Sequence, residues 1–306
     1  MIDELEAKGL LEDDAGMKLM RVEGQSVPLL VRKSDGSFGY DSTDLAAIRY
    51  RFVEQQFDRA IYVVDAGQAL HFDLVFAGAE KAGWMEGGRR VAEHCKFGLV
   101  CGDDGKRYRT RDGGVVRLVD LLDEARDRSH ASLLARAAKG TKEELLATAE
   151  VLAYSGIKYF DLARDRMRDY KFSYDAMLNP LGDTAVYLQY AHARTCSIFS
   201  NSKRDIEALA AGEGGARIKL VEEPELYLAL QVLMFTDVVE VVRRELQLLP
   251  LCKWLRTLCV QLTVFMQECR VLGSEHEVSR LLVLHVTIKS MRQAMCLLGM
   301  DVLERL

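Results

Sequence analysis

The sequence predicts an α/β region followed by an all-α bundle, and three observations carry that assignment. Between Leu29 and Cys101, short β-branched runs alternate with helix-length amphipathic stretches, the pattern of a parallel sheet with helices packed on it. Beyond Val116 such runs fade, and apolar residues recur at helical spacing to the C-terminus. Three long apolar helices, over residues 225–248, 250–271 and 275–298, end the chain. Pro250 and Gly273-Ser274 make the turns between them short, so neighbours run antiparallel as in a bundle.

Taken in order, residues 1–25 give an acidic opening helix and then glycines among Leu10, Leu11, Met17, Leu19 and Val22, which suggest strands or a hairpin edge. Residues 28–31 suit a strand, and Arg32-Lys33-Ser34-Asp35-Gly36 a turn. A helix is expected over 42–57. Asp41 or Ser42 supplies an oxygen for the orphan amides of its first turn, and Leu45, Ala46, Ile48 and Phe52 form its apolar stripe. With a strand at 61–64 these make a β-α-β unit. A second helix at 70–82 and a third strand at 95–101 follow. Asp65, Gly67, Gln68 and His71 then fall at a strand's C-terminal end, where α/β sheets hold small molecules.

Residues 102–114 form a glycine-bounded loop with Lys106, Arg107, Arg109 and Arg111, close to Arg117. The loop reads either as a solvated hairpin or as a mobile cationic element that stabilises phosphate charge. Helices are expected at 118–138, at 141–155 behind the capping box Thr141-x-x-Glu144, onward through 157–168, and at 184–199 and 203–210. The change of pattern near 128–142 divides the chain into domains 1–130 and 131–306.

At 306 residues the chain is long enough for two domains, and 49% hydrophobic and 28% charged residues are ordinary for a soluble globular protein. A net charge of −5 argues against a generally basic nucleic-acid binder but leaves room for local basic patches. The seven cysteines are odd in number and form no Cys-x-x-Cys pair, so they read as reduced thiols in a cytoplasmic protein, with no disulfide and no metal site. The acidic N-terminus has no hydrophobic signal region. The most apolar window, 226–242, is interrupted by Gln231, Asp237 and Glu240, and no membrane partner is expected.

Two blocks carry chemistry. The first is Tyr40-Asp41-Ser42-Thr43-Asp44-Leu45-Ala46-Ala47; the second is Val64-Asp65-Ala66-Gly67-Gln68-Ala69-Leu70-His71-Phe72. A phenol and a carboxylate at a helix start can grip a guanidinium; equally, Tyr40 can pack and Asp44 can stabilise the helix terminus. Together, in this order, the blocks resemble the arginyl-tRNA synthetases, which are class I aminoacyl-tRNA synthetases. Those enzymes carry Tyr-x-x-x-Asp-Leu-Ala-Ala and then Val-Asp-x-Gly-Gln-x-x-His-Phe. The resemblance continues through Phe97-Gly98-Leu99-Val100, Arg109-Thr110-Arg111-Asp112-Gly113 and Tyr187-Leu188-Gln189-Tyr190-Ala191-His192-Ala193-Arg194.

The resemblance implies a nucleotide-binding Rossmann-type half-domain followed by a helical anticodon-binding domain. It implies an arginine–tRNA ligase, in which ATP, with accompanying Mg2+, activates arginine for transfer to the 3′ end of arginine tRNA. Tyr40, Asp44 and Gln68 would contact arginine, and His71 would lie near the nucleotide. Lys106, Arg109, Thr110 and Arg111 stand where the family carries its version of the KMSKS loop. Arg109 occupies a position where Lys is common, so the division of work between Lys106 and Arg109 is open. Tyr187, Tyr190 and Arg194 are the candidates for tRNA contact; by spacing alone the tyrosines fit the bundle interior equally well. No DNA partner is implied. A His-Ile-Gly-His type signature does not occur between Met1 and Gln68. The chain therefore resembles the C-terminal half of such an enzyme. It is expected to pair with an N-terminal half or to be marginally ordered at its start, and to be inactive alone. The alternative is a non-catalytic tRNA-binding or partner-binding module derived from the same family.

Overall fold

A computed structural model describes residues 1–306 except 86, 87, 89, 103, 104 and 108–115. Chain contacts separate two compact units, residues 1–99 with 167–169, and residues 100–166 with 170–306.

The first unit opens with helix α1 (Ile2–Ala7) and a hairpin of β1 (Glu12–Asp14) and β2 (Met17–Met20). Its two-residue turn places Ala15 at φ 47° and Gly16 at φ 83°, the pair of positive angles that matches the twist of antiparallel strands. Strand β3 (Leu29–Arg32) adds to β2 in antiparallel fashion. The β-α-β unit expected from 28–64 is therefore not formed, because the hairpin captures β3. Helix α2 (Tyr40–Arg49) runs on through a π-helical turn to Glu54. Strand β4 (Arg59–Asp65), a 3-10 turn at Ala66–Gln68, helix α3 (Ala69–Lys81) and strand β5 (Val91–Phe97) complete the unit. β4 and β5 pair in parallel with Tyr62 opposite His94, so the parallel element is real but begins one strand later than expected. β5 also starts at Val91 and stops at Phe97, four residues earlier at each end than the sequence suggested.

Leu5, Met20, Leu29, Val31, Leu45, Ile48, Phe52 and Val75 are fully buried together, which gives the unit its own core. α3 reaches this core through Gly78. A Cβ there would lie 2.6 Å from Leu29 Cδ1 and 3.3 Å from Leu45 Cδ2. Overpacking costs about 1–3 kcal/mol, and alanine regains about 0.5–1 kcal/mol of helix propensity. Gly78→Ala should therefore lower stability by about 1 kcal/mol, read as an earlier urea midpoint at unchanged slope.

The second unit is almost entirely helical. Strand β6 (Val100–Cys101) pairs in parallel with β7 (Tyr170–Lys171), a strand the sequence did not suggest. Between them lie α4 (Leu118–Ala135) and α5 (Lys142–Leu162), which pack on each other. Thr141 accepts from the Glu144 amide and Glu144 accepts from the Thr141 amide, so the capping box forms as read. The helical run expected over 141–155 and onward through 157–168 forms as the single helix α5, which ends at Leu162 instead of reaching 168. The Arg164 guanidinium sits 3.6 Å from the Phe160 ring centre and 4.9 Å from that of Tyr170, which folds the chain back toward β7.

Beyond β7 come α6 (Tyr174–Met177), α7 (Ala185–Ser202), α8 (Ile206–Ala210), α9 (Glu223–Leu233), α10 (Phe235–Glu245), α11 (Leu249–Glu268) and α12 (Glu277–Leu297). The helix expected over 225–248 breaks at Met234, where Phe235 turns its ring onto Trp254. Leu188, Leu228, Leu255, Leu258, Leu262, Phe265, Leu281 and Leu284 build the bundle core. The contact boundary after Leu99 precedes the change of pattern read near residue 130, because α4 packs on α5 and so joins the helical unit.

Candidate functional site

Helix α2 begins at Tyr40, two residues before the expected start, and this reassigns its acidic residues. Ser42 holds the helix entry: its hydroxyl accepts from the Gly39 amide at 3.3 Å and donates to the Val31 carbonyl at 2.6 Å. Asp41 is thereby released from the capping role considered for it. One carboxylate oxygen accepts from the Leu30 amide at 2.9 Å, which ties α2 to β3, and the other lies 3.1 Å from His71 Nδ1. Asp44, one turn along the same face, lies 2.7 Å from His71 Nε2. The ring of His71 thus bridges two carboxylates. His71 also meets Phe72 edge-on, with ring centres 5.1 Å apart.

Tyr40 is 86% exposed and lines, with Leu30, Lys33, Phe38, Gly39, Asp41 and Thr43, a cavity of about 460 Å³ at the start of α2. Asp44 keeps a third of its side chain exposed even with His71 beside it. Gln68 is exposed where the 3-10 turn hands over to α3; Asp65 accepts from the Gly67 amide at 2.9 Å and so fixes that turn after β4. Among the described residues no hydrogen bond joins Tyr40, Asp44 and Gln68. The chain instead brings Asp41, Asp44 and His71 together. Asp41 was read only as a capping candidate. Its signal was available in the Asp41/Asp44 spacing of three, which puts both carboxylates on one helical face, with a histidine at the start of the next helix.

Beneath this cluster Tyr62 is buried on β4, and its hydroxyl has no hydrogen-bond partner among the described residues. Burial pushes its phenol up from the ordinary value, and the Arg51 guanidinium, 4.9 Å from the ring centre, opposes that shift. In the cationic loop, Lys106 is exposed, whereas Arg109, Thr110 and Arg111 lie outside the described residues.

On α7 the three candidates for tRNA contact separate. The Tyr187 hydroxyl lies 3.4 Å from the Cys259 carbonyl and 3.2 Å from Thr263 Oγ1, and the Arg256 guanidinium stacks 3.9 Å from the ring centre. Tyr187 is therefore a bundle residue. Tyr190 is 54% exposed, and Arg194, one turn on, reaches over its ring at 5.8 Å. This pair offers an aromatic face and a guanidinium side by side on the outer surface. No disulfide joins any of the seven cysteines, all of which lie among the described residues. No helix among the described residues is long and apolar enough to cross a membrane.

Two protein-family models match the chain. Residues 1–174 match the catalytic domain of class I (R) tRNA synthetases, and residues 188–306 match the DALR anticodon binding domain. The cytoplasmic arginine–tRNA ligase of Arabidopsis thaliana is 45% identical over 311 residues, covering 100% of this chain and 52% of that protein. An arginine–tRNA ligase of a Synechococcus strain is 40% identical over 318 residues, covering 100% of this chain and 54% of its own length. Among solved structures, the arginyl-tRNA synthetase of Plasmodium falciparum superposes with a TM-score of 0.86 at 34% identity, covering 100% of this chain and 51% of that one. The chain thus spans about half the length of the curated relatives it matches, and the match is to their C-terminal half. The Asp41–His71–Asp44 cluster lies in the catalytic match and the Tyr190–Arg194 pair in the anticodon match. On these matches, the chain belongs to the class I arginyl-tRNA synthetases.

Proposed function

We propose that this chain forms the arginine-binding and tRNA-binding half of an arginine–tRNA ligase. ATP, entering as its magnesium complex, activates the arginine carboxylate, and the arginyl group then passes to the 3′ end of arginine tRNA. One observation carries the reading. Asp44 presents a partly exposed carboxylate on the same helical face as Tyr40, and His71 and Asp41 hold it in place. A carboxylate so held pairs with a guanidinium in a charged, directional hydrogen bond. In this reading Tyr40 and Gln68 border the arginine, His71 steadies Asp44 toward the nucleotide side, and Lys106 with Arg109–Arg111 neutralises the triphosphate.

Completion by a further half-domain is part of the proposal. Parallel sheets are ordinarily covered on both faces, yet Ile61 and Val63 of β4 and Val91 of β5 are 43%, 65% and 43% exposed. We place the protein in the cytoplasm, where thiols that form no disulfide suit a reducing compartment. The test mixes the chain with labelled arginine, ATP and arginine tRNA, with and without the N-terminal half of the Arabidopsis cytoplasmic ligase. Charging only in the presence of the added half is the expected result. Charging by the chain alone would refute the need for completion. Failure in both would favour a second reading, a tRNA-binding module without catalysis, which the exposed Tyr190–Arg194 pair supports. For either reading, Tyr190→Ala should weaken a gel shift with arginine tRNA about tenfold, since a stacked base contributes about 1–3 kcal/mol, and should leave the melting temperature within error.

A further inference from the structure

We infer that the C-terminal residues 299–306 act as a strap that sets the orientation of α7 and thereby positions the tRNA-facing pair Tyr190 and Arg194. The inference rests on the tRNA-binding reading above. α12 ends at Leu297, and the chain then turns at Gly299, whose φ is 68°. The extended residues that follow lie against the back of α7. Gln189 Nε2 donates to the Asp301 carbonyl at 2.6 Å, and the Leu303 amide donates to Gln189 Oε1 at 2.9 Å, so one side chain clamps the strap in both directions. His192 Nδ1 donates to the Leu303 carbonyl at 2.7 Å, and its Nε2 accepts from Arg292 Nε at 2.9 Å. Those two partners fix the tautomer, and burial keeps the imidazole below its ordinary pKa. Arg292 reaches on to Glu304 at 3.5 Å, and Lys158 donates to the Gly299 carbonyl.

Gln189 and His192 are both fully buried polar side chains, and the strap or its Arg292 bracket satisfies every hydrogen bond described for them apart from a long His192–Cys196 contact. Without the strap Gln189 loses both of its bonds and His192 loses its Nδ1 bond, in an apolar setting, which forces the helix to roll or to admit water. At about 100° per residue, Gln189 and His192 lie on one side of α7, and Tyr190 and Arg194 lie on roughly the opposite side. A roll of α7 therefore moves the outer pair directly.

The test uses the full chain, a deletion of residues 303–306, and Gln189→Leu, which keeps the side chain's volume but removes both of its bonds. Each is measured by gel shift with transcribed arginine tRNA and by far-ultraviolet circular dichroism. Each is also built in a background carrying Tyr190→Ala and Arg194→Ala. The expected result is a loss of affinity of about tenfold in both variants with helicity kept, and no further loss in the double-substituted background. A purely structural role would lower affinity in that background as well. Unchanged affinity, or an equal loss in both backgrounds, overturns the strap while the tRNA-binding reading stands. Unfolding of both variants makes the strap a folding element and overturns it too. No binding by the unaltered chain overturns the tRNA-binding reading and the strap with it.

Discussion

Glu225→Ala is expected to lower the stability of the helical unit by about 3–5 kcal/mol, the cost of leaving a buried charge without its partner. Glu225 is 1% exposed and Arg280 is 5% exposed, and they meet at 2.6 Å between Oε1 and Nε. The other carboxylate oxygen accepts from the amides of Val221 at 2.5 Å and Glu222 at 3.0 Å at the start of α9. The substitution removes an ion pair and a helix cap at once. Arg280 keeps its bond to the Arg270 carbonyl and a 3.8 Å approach to Glu222, neither of which replaces a buried carboxylate.

The same residue gives a pH dependence. Burial alone would raise its pKa, but the two amides and the guanidinium outweigh burial and hold the carboxyl below its ordinary value of 4.5. A depressed folded-state value means the contribution is fully present above that ordinary value and disappears as the pH falls through the lower one. Urea melts at pH 7 and near pH 3 should therefore differ less for Glu225→Ala than for the unaltered chain. A variant that melts like the parent at pH 7 would show the pair to be inert.

Asp44→Ala, in the chain completed by the added half-domain, should raise the KM for arginine about a hundredfold. Truncating one member of a desolvated charge pair costs about 2–5 kcal/mol, and each 1.4 kcal/mol is tenfold. The fold should barely respond. Asp44 is a third exposed, and His71 retains Asp41 at 3.1 Å, so a loss below about 1 kcal/mol is expected. That separation makes the measurement decisive: KM moves while the melting temperature does not. An arginine KM equal to the parent's would remove Asp44 from the substrate site and leave it as a partner of His71 alone. Asp41→Ala should behave in the opposite way, since it loses the Leu30 amide and with it one of the links from α2 to β3, leaving, among the described residues, only the Ser42 hydroxyl bonds there.

Much of this was legible beforehand. The helices from Thr141 onward follow from apolar spacing and from caps such as the Thr141–Glu144 box, whose physics is local and therefore written locally. The short strands misled for the converse reason. Leu29–Arg32 has the composition of a parallel strand, but pairing is non-local, and the β1–β2 hairpin takes it in antiparallel register. At the site, the sequence put Tyr40 and Asp44 on either side of a helix start. It could not show that a histidine thirty residues away would sit between Asp41 and Asp44, because that depends on how α3 packs on α2. Likewise, nothing in the spacing of Tyr187 and Tyr190 distinguished them. Packing against α11 gave Tyr187 hydrogen bonds and an arginine over its ring, and left Tyr190 outside.

By itself the amino-acid sequence determined the family and the succession of an α/β region and a helical bundle, and it supplied the residues proposed for a guanidinium site. These rest on motif order and on periodicities of two and 3.6, which any reader of the chain can count. The tertiary structure alone decided that His71 bridges Asp41 and Asp44, which tyrosine faces water, and that residues 301 and 303 clamp the back of α7. Those are contacts between segments from about thirty to more than a hundred positions apart. They are fixed by how helices of given shape fill a common core, and no local pattern carries that information.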